Sequence, residues 1–169
     1  ENVLAISQSG ETKDIIGAVP DNFTCITNNH GSMLYDMASE KILLGVGPEY
    51  SVAATKTFTA SCMKLCGLTE PMTKQINNLM KRVSEIKDIA KRIMGYDHFL
   101  FLGDRQNYPI ALEGALKFKE VAYVHAEGMP ASEMKHGPIA LVDYKVPSLF
   151  IVTEGFRPET ISNIKEIRS

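Results

Sequence analysis

Short, continuous apolar runs alternate along this chain with stretches whose apolar residues recur at helical spacing. Residues 2–6, 23–27, 41–46, 98–102 and 148–153 are β-prone runs of the kind that build strands buried on both faces. Residues 32–38 predict a short helix, and 53–65 predict a longer one entered through the loop Gly47-Pro48-Glu49-Tyr50-Ser51. The clearest helical signal spans 73–94, where Ile76, Leu79, Met80, Val83, Ile86, Ala90 and Ile93 share one face and Gly95 supplies a stop. Its opposite face is charged. This alternation predicts an α/β protein with parallel sheets covered by helices. Gly67 to Pro71 and Gly95 read as boundaries, which gives a first α/β unit at 1–68, a connecting amphipathic helix at 69–95 and a second unit at 96–169. Between Thr12 and Phe23 there are only about ten residues, near the lower limit for a crossover between parallel strands. Gly17 and Pro20 interrupt them, so any helix there must be very short.

Composition narrows the class. The 169 residues are 44% hydrophobic and 22% charged, enough to bury a sizeable core in an ordinary globular protein. A net charge of -2 with scattered Lys and Arg offers no basic stripe for nucleic acid and no polybasic membrane patch. No apolar run approaches a membrane span, and no signal peptide is visible, although the chain begins at Glu1 rather than Met. Cys25, Cys62 and Cys66 are odd in number and lie in apolar surroundings, which predicts reduced thiols and a cytoplasmic setting. Cys62 and Cys66 share a helix face but have no His near them in sequence, so no metal site is predicted.

Candidate chemistry gathers in two places. After the apolar run Val3-Leu4-Ala5, the stretch Ile6-Ser7-Gln8-Ser9-Gly10-Glu11-Thr12 sets hydroxyls and backbone amides where a strand hands over to a helix. Free N–H groups and the positive dipole end attract an anion there, and Gly10 lets the backbone approach closely. No Walker lysine pattern and no GxGxxG is present, so a small phosphorylated metabolite fits better than a nucleotide. An ordinary capped helix has the same residue types, and both accounts stand on this stretch alone. Farther on, residues 108–120 form a helical pattern with Pro109 in the first turn and Glu113, Lys117 and Glu120 on one face. These three are either a surface ion-pair ladder or a site in which a lysine holds a substrate oxygen while a carboxylate moves a proton. The segment 125–138 follows, a loop in which His136 lies just before a Gly-Pro turn. Such a histidine is suited to acid–base work near neutral pH, or is simply exposed.

Four stretches, SQSGET, GPEYSVAATKTFT, YPIALEGALKFKE and HAEGMPASEMKHGP, resemble in this order the sugar isomerase (SIS) domains of the glutamine-fructose-6-phosphate aminotransferases. The resemblance implies a Rossmann-like fold, with the later part of one SIS unit joined to the earlier part of a second. It implies an enzyme that makes glucosamine 6-phosphate from fructose 6-phosphate, with ammonia released from glutamine by a separate N-terminal glutaminase domain. By the same resemblance Ser7, Gln8, Ser9 and Thr12 hold the sugar phosphate and the Val52 backbone lines the sugar site. Glu120 moves a proton between C1 and C2, Lys117 assists, Glu113 orients Lys117, and His136 opens the sugar ring from a neighbouring subunit. A homo-oligomer follows from that last role. No metal and no organic cofactor is required, since a histidine, a carboxylate and an ammonium suffice for ring opening and enediol or enolamine chemistry.

Departures from the family are also visible. Ala54 stands where a serine is usual, Ser132 where a glycine is common, and the crossover after Thr12 is short. The resemblance further implies strands before Glu1, strands after Ser169 and a C-terminal tail with another lysine, so a piece of a longer enzyme is expected, with sheet edges that favour association. Two other functions fit the same residues: a stand-alone SIS deaminase or deglycase of an amino sugar phosphate, and a non-catalytic sugar phosphate sensor.

Overall fold

The structure, a computed structural model, describes residues 2–67, 69–153 and 158–167. The expected boundary at 67–71 includes Leu68, which lies outside the described residues. The chain divides into two compact units, Glu1–Lys81 and Arg82–Ser169.

In the first unit, β1 (Leu4–Ile6), β2 (Thr24–Thr27) and β3 (Glu40–Leu43) form a parallel sheet in the order β1-β2-β3. The crossover from β1 to β2 holds α1 (Lys13–Ala18), six residues long, as the spacing of Gly17 and Pro20 requires. The next connection holds α2 (Met33–Met37). Strand side chains alternate between the two faces. Ala5 and Cys25 therefore share one face, buried with Phe23, Leu34 and Ala38 under Ile15, Ile16 and Tyr35. The other face carries Ile26 and Leu44 against Ala60 of α3 (Lys56–Cys66). Leu4 and Ile6 of β1 stay exposed. Burial pushes the Cys25 thiol pKa up, with the Ile42 amide and Lys41 acting in the other direction. A neutral core thiol results.

The helical signal at 73–94 is two helices rather than one. α4 (Glu70–Met80) starts at Thr69, whose hydroxyl accepts the Met72 amide, with Pro71 in its first turn. α5 (Val83–Ile93) starts anew after Arg82, whose backbone at φ -97°, ψ 14° is not helical. The Lys81 amide bonds to the carbonyls of both Asn78 and Leu79, which tightens the last turn, and Arg82 folds onto the Glu85 carboxylate at 2.7 Å. In the sequence the apolar spacing of α4 continues into α5 in nearly the same phase, so it does not reveal the break.

In the second unit, β4 (His98–Gly103) is central, with β5 (His125–Met129) and β6 (Ser148–Ile151) parallel on either side. β5 corrects the expectation of a loop from 125 to 138: its first five residues are a strand. α6 (Tyr108–Ala122) covers one face through Ala111 and Ala115, both buried, and through Phe118, packed edge-on against Phe99 and Phe101 at 5.0 and 4.8 Å. The approach of helix to strand is close. A Cβ on Gly128 would lie 2.8 Å from Leu112 Cα, and one on Gly114 2.7 Å from the Phe101 ring. The opposite face buries Leu100, Leu102, Met129, Ala131 and Met134 with Phe150 and with Ile167 of α7 (Pro158–Ile167).

Candidate active site

In parallel α/β sheets, ligands gather beyond the carboxyl ends of the strands, and the loop leaving β1 is so placed. Ser7 is buried, and its hydroxyl lies 2.8 Å from that of Thr12 and accepts the Gly10 amide at 3.1 Å. Ser9 accepts the Glu11 amide at 3.2 Å, while the Gln8 carbonyl accepts the Asn28 amide and the Thr27 hydroxyl. The turn is pinned from below. Gly10 has φ +71°, and a Cβ there would fall 1.9 Å from Ser32 Oγ, so both its backbone angle and its surroundings demand glycine. Its carbonyl accepts the Leu34 amide, and the Glu11 carboxylate accepts the Met33 amide at 2.9 Å, which ties the loop to α2. Gln8, Ser9 and Thr12 remain exposed around this braced turn. The helix behind it is too short for its dipole to contribute much, so the hydroxyls and loop amides are what the loop offers an anion.

The loop before α3 holds a residue that local sequence patterns miss. Glu49 accepts the amides of Thr55 and Thr57 at 2.8 and 3.0 Å and the Thr57 hydroxyl at 2.9 Å, so it closes the start of α3 from outside the helix. The Thr57 amide does most to hold the Glu49 carboxyl below the usual glutamate range; burial opposes it, and the Thr55 amide, Thr57 hydroxyl and Lys56 charge reinforce it. Val52 is 89% exposed at the rim of this loop, between exposed Ser51, whose hydroxyl donates to the Ala53 carbonyl at 3.0 Å, and buried Ala53.

In the second unit, the helical spacing of α6 brings three expected residues together. Lys117 Nζ lies 2.5 Å from Glu120 Oε2 and 3.5 Å from Glu113 Oε1, all three side chains being between a fifth and a third exposed. Burial acts first against the ammonium. The hydrogen bond to Glu120 and the charges of Glu113 and Glu120 outweigh it, and the Lys117 pKa lies above that of an ordinary lysine. His136 is exposed and ends the 3-10 turn Ala131–His136 that follows β5, with Gly137 at φ +134° behind it. Among the described residues no hydrogen bond or ion pair joins His136 to the Lys117 trio. Asp104, directly after β4, accepts the Ser132 amide at 2.9 Å and the Thr160 hydroxyl at 3.2 Å, and Asn163 donates to the Ala131 carbonyl at 2.9 Å. These contacts span 28 to 56 residues of chain, and no local motif announces them. Among the described residues no cluster of three or more His, Cys, Asp or Glu suits a metal ion.

Residues 93–169 match the model of the SIS domain family. That match lies wholly within the second unit. Beyond the SIS match, the whole chain is similar to aminotransferases. It is 40% identical over 195 aligned positions to the glutamine–fructose-6-phosphate aminotransferase [isomerizing] of Methanosarcina acetivorans, covering 98% of this chain and 32% of that protein. The namesake from Aquifex aeolicus is 40% identical over 186 positions, with 98% and 31% covered. The chain spans about a third of the length of the curated relatives it matches. Its fold matches the C-terminal domain of glucosamine-fructose-6-phosphate aminotransferase from Francisella tularensis at a TM-score of 0.85 and 33% identity, over 99% of this chain and 56% of that one. Parallel sheets flanked by helices are therefore the SIS architecture. Among the described residues no helix is long and apolar enough to cross a membrane.

Proposed function

We propose that this chain belongs to the isomerase part of an enzyme that converts fructose 6-phosphate to glucosamine 6-phosphate, and that its two units are parts of successive SIS domains. The observation that carries the reading is the half-buried Glu113–Lys117–Glu120 arrangement of α6, in a chain similar over nearly all its length to enzymes of that name. Surface ladders lie open to water, and this one is largely withdrawn from it.

On this reading Ser7, Gln8, Ser9 and Thr12 take the phosphate, and the Val52 backbone lines the sugar. Binding at the phosphate, remote from the reacting carbons, supplies orientation. His136, contributed by a neighbouring copy in a homo-oligomer, opens the ring. Glu120 then takes a proton from one carbon and returns it to its neighbour, while the Lys117 ammonium stabilises the oxygen on which charge develops. Glu113 keeps Lys117 charged and in place. The ammonia comes from a glutaminase domain in the complete enzyme, which works in the cytoplasm.

Glu120→Gln tests the assignment: isomerisation is abolished while calorimetric affinity for fructose 6-phosphate stays within a few fold. Unchanged turnover overturns it. Ser9→Ala and Thr12→Ala weaken binding of fructose 6-phosphate and leave unphosphorylated fructose unaffected; equal loss for both sugars refutes the phosphate loop. Ala54 favours a second reading, a deaminase or deglycase of an amino sugar phosphate, which the release of ammonia from glucosamine 6-phosphate without glutamine would reveal.

A further inference from the structure

The His136 imidazole is exposed, and among the described residues no hydrogen bond or ion pair holds it. Its position therefore depends on the backbone of its turn. That turn is fastened at four points. Ala131 and Met134 are buried, which anchors its inner side in the core beneath β4. Asn163 of α7 donates to the Ala131 carbonyl at 2.9 Å, and Lys135 pairs with Glu166 at 2.8 Å. Between these, Asp104 uses its two carboxylate oxygens in two directions, one accepting the Ser132 amide at 2.9 Å and the other the Thr160 hydroxyl at 3.2 Å. Asp104 is itself rigidly placed. Gly103 before it has no room for a Cβ, with the Asn107 carbonyl oxygen 2.4 Å from that point; Arg105 after it sits at φ +53°; and the Asp104 carbonyl accepts the Asn107 amide at 2.9 Å. A charged acceptor on a stiff turn is a strong strut.

We propose that Asp104 is the positioning residue for His136, acting through the Ser132 amide and braced by α7. The inference rests on the ring-opening role given to His136 above. In that step the anomeric hydroxyl on C2 gives up its proton, the C2–O5 bond breaks as the C2 carbonyl forms, and O5 takes up a proton. The imidazole must reach both oxygens, so a displaced turn penalises ring opening and spares the later proton shift.

The test compares fructose 6-phosphate with 5-deoxyfructose 6-phosphate, which lacks the hydroxyl that closes the ring, in the assembled protein with ammonium as amine source. The quantity read is the ratio of kcat/KM for the ring-forming substrate to that for the open-chain one. His136→Ala lowers this ratio about a hundredfold, as expected for loss of one acid–base group. Asp104→Ala lowers it about tenfold, since a misplaced group loses part of its effect. Asp104→Asn keeps one carbonyl oxygen for the Ser132 amide and restores the ratio to within about threefold. Thr160→Val, which keeps the side-chain volume and removes only the brace, lowers the ratio measurably and guards against misfolding of Asp104→Ala. A selective loss in His136→Ala with none in Asp104→Ala or Thr160→Val overturns the positioning role alone. An unselective loss in His136→Ala, or no turnover of either substrate by the unsubstituted protein, overturns the functional reading beneath it.

Discussion

Gly128→Ala puts the close backbone approach of α6 to β5 to the test. The φ of Gly128 lies outside the left-handed region, so alanine suffers no backbone penalty and the whole effect is one of space. Its new Cβ would meet Leu112 Cα at 2.8 Å and the Ala111 oxygen and Leu112 nitrogen at 2.9 Å, all backbone of α6. Ordinary contact begins at 3.4 Å, so α6 must retreat by about 0.6 Å. That retreat loosens Ala111 and Ala115, and with them the edge-on packing of Phe118 on Phe99 and Phe101. Overpacking of this kind costs about 2 kcal/mol. With a slope of roughly 1.5 kcal/mol/M, the urea midpoint of the second unit falls by roughly 1 M. Gly114→Ala is the comparison, because its Cβ meets only the Phe101 ring and alanine gains about 1 kcal/mol of helix propensity. Its loss is the smaller of the two. Far-UV circular dichroism against urea reads both variants. A Gly128→Ala midpoint equal to that of the unsubstituted chain, or a loss below that of Gly114→Ala, refutes the argument.

Three further outcomes are expected. Gly10→Ala combines a left-handed backbone angle with a clash on Ser32 and destabilises the first unit by at least about 2 kcal/mol; adding Ser32→Gly recovers only the clash, and full recovery in the urea midpoint would contradict the φ argument. Glu49 has a lowered pKa, so its contribution is present above the ordinary glutamate value of about 4.3 and is lost as pH falls through the lowered one; in Glu49→Gln, acid melts should lack that step, and an identical pH profile would show that the contacts at α3 carry no linkage. Lys117 has a raised pKa, so its contribution is intact below the ordinary lysine value of about 10.4 and is lost as pH rises through the raised one; alkaline unfolding midpoints of the unsubstituted chain and Lys117→Met should converge only there, and convergence near neutrality would refute the ion-pair account.

Periodicity alone was enough to find five strands, because each lies in a short apolar run even where, as with Leu4 and Ile6 of β1, the large side chains stay exposed. β5 escaped it. His125 and Glu127 are exposed, and the inward positions are filled by Ala126, Met129 and a glycine that exists to admit α6. A strand whose partner comes this close is written in small residues, which look like a turn. The division between α4 and α5 was hidden for the opposite reason, since the apolar stripe continues through it and neither Gly nor Pro marks it. Spacing on one helix made Glu113, Lys117 and Glu120 legible as neighbours. Glu49 and Asp104 were not, because the Glu49 partners lie six and eight residues on, outside any capping spacing, and those of Asp104 lie 28 and 56 residues away.

The pause between α4 and α5 has a practical consequence for dissecting the molecule. Its two residues, Lys81 and Arg82, are exposed, adjacent and basic, and the boundary between the compact units falls between them. Limited trypsin digestion acts fastest where backbone is accessible and least is lost by opening it. A first cut at this bond severs no strand and no helix, and it leaves each three-stranded sheet whole in its own fragment. The chain thus contains its own scissors mark, at which the Ser7–Thr12 turn and the α6 carboxylates pass into two different fragments.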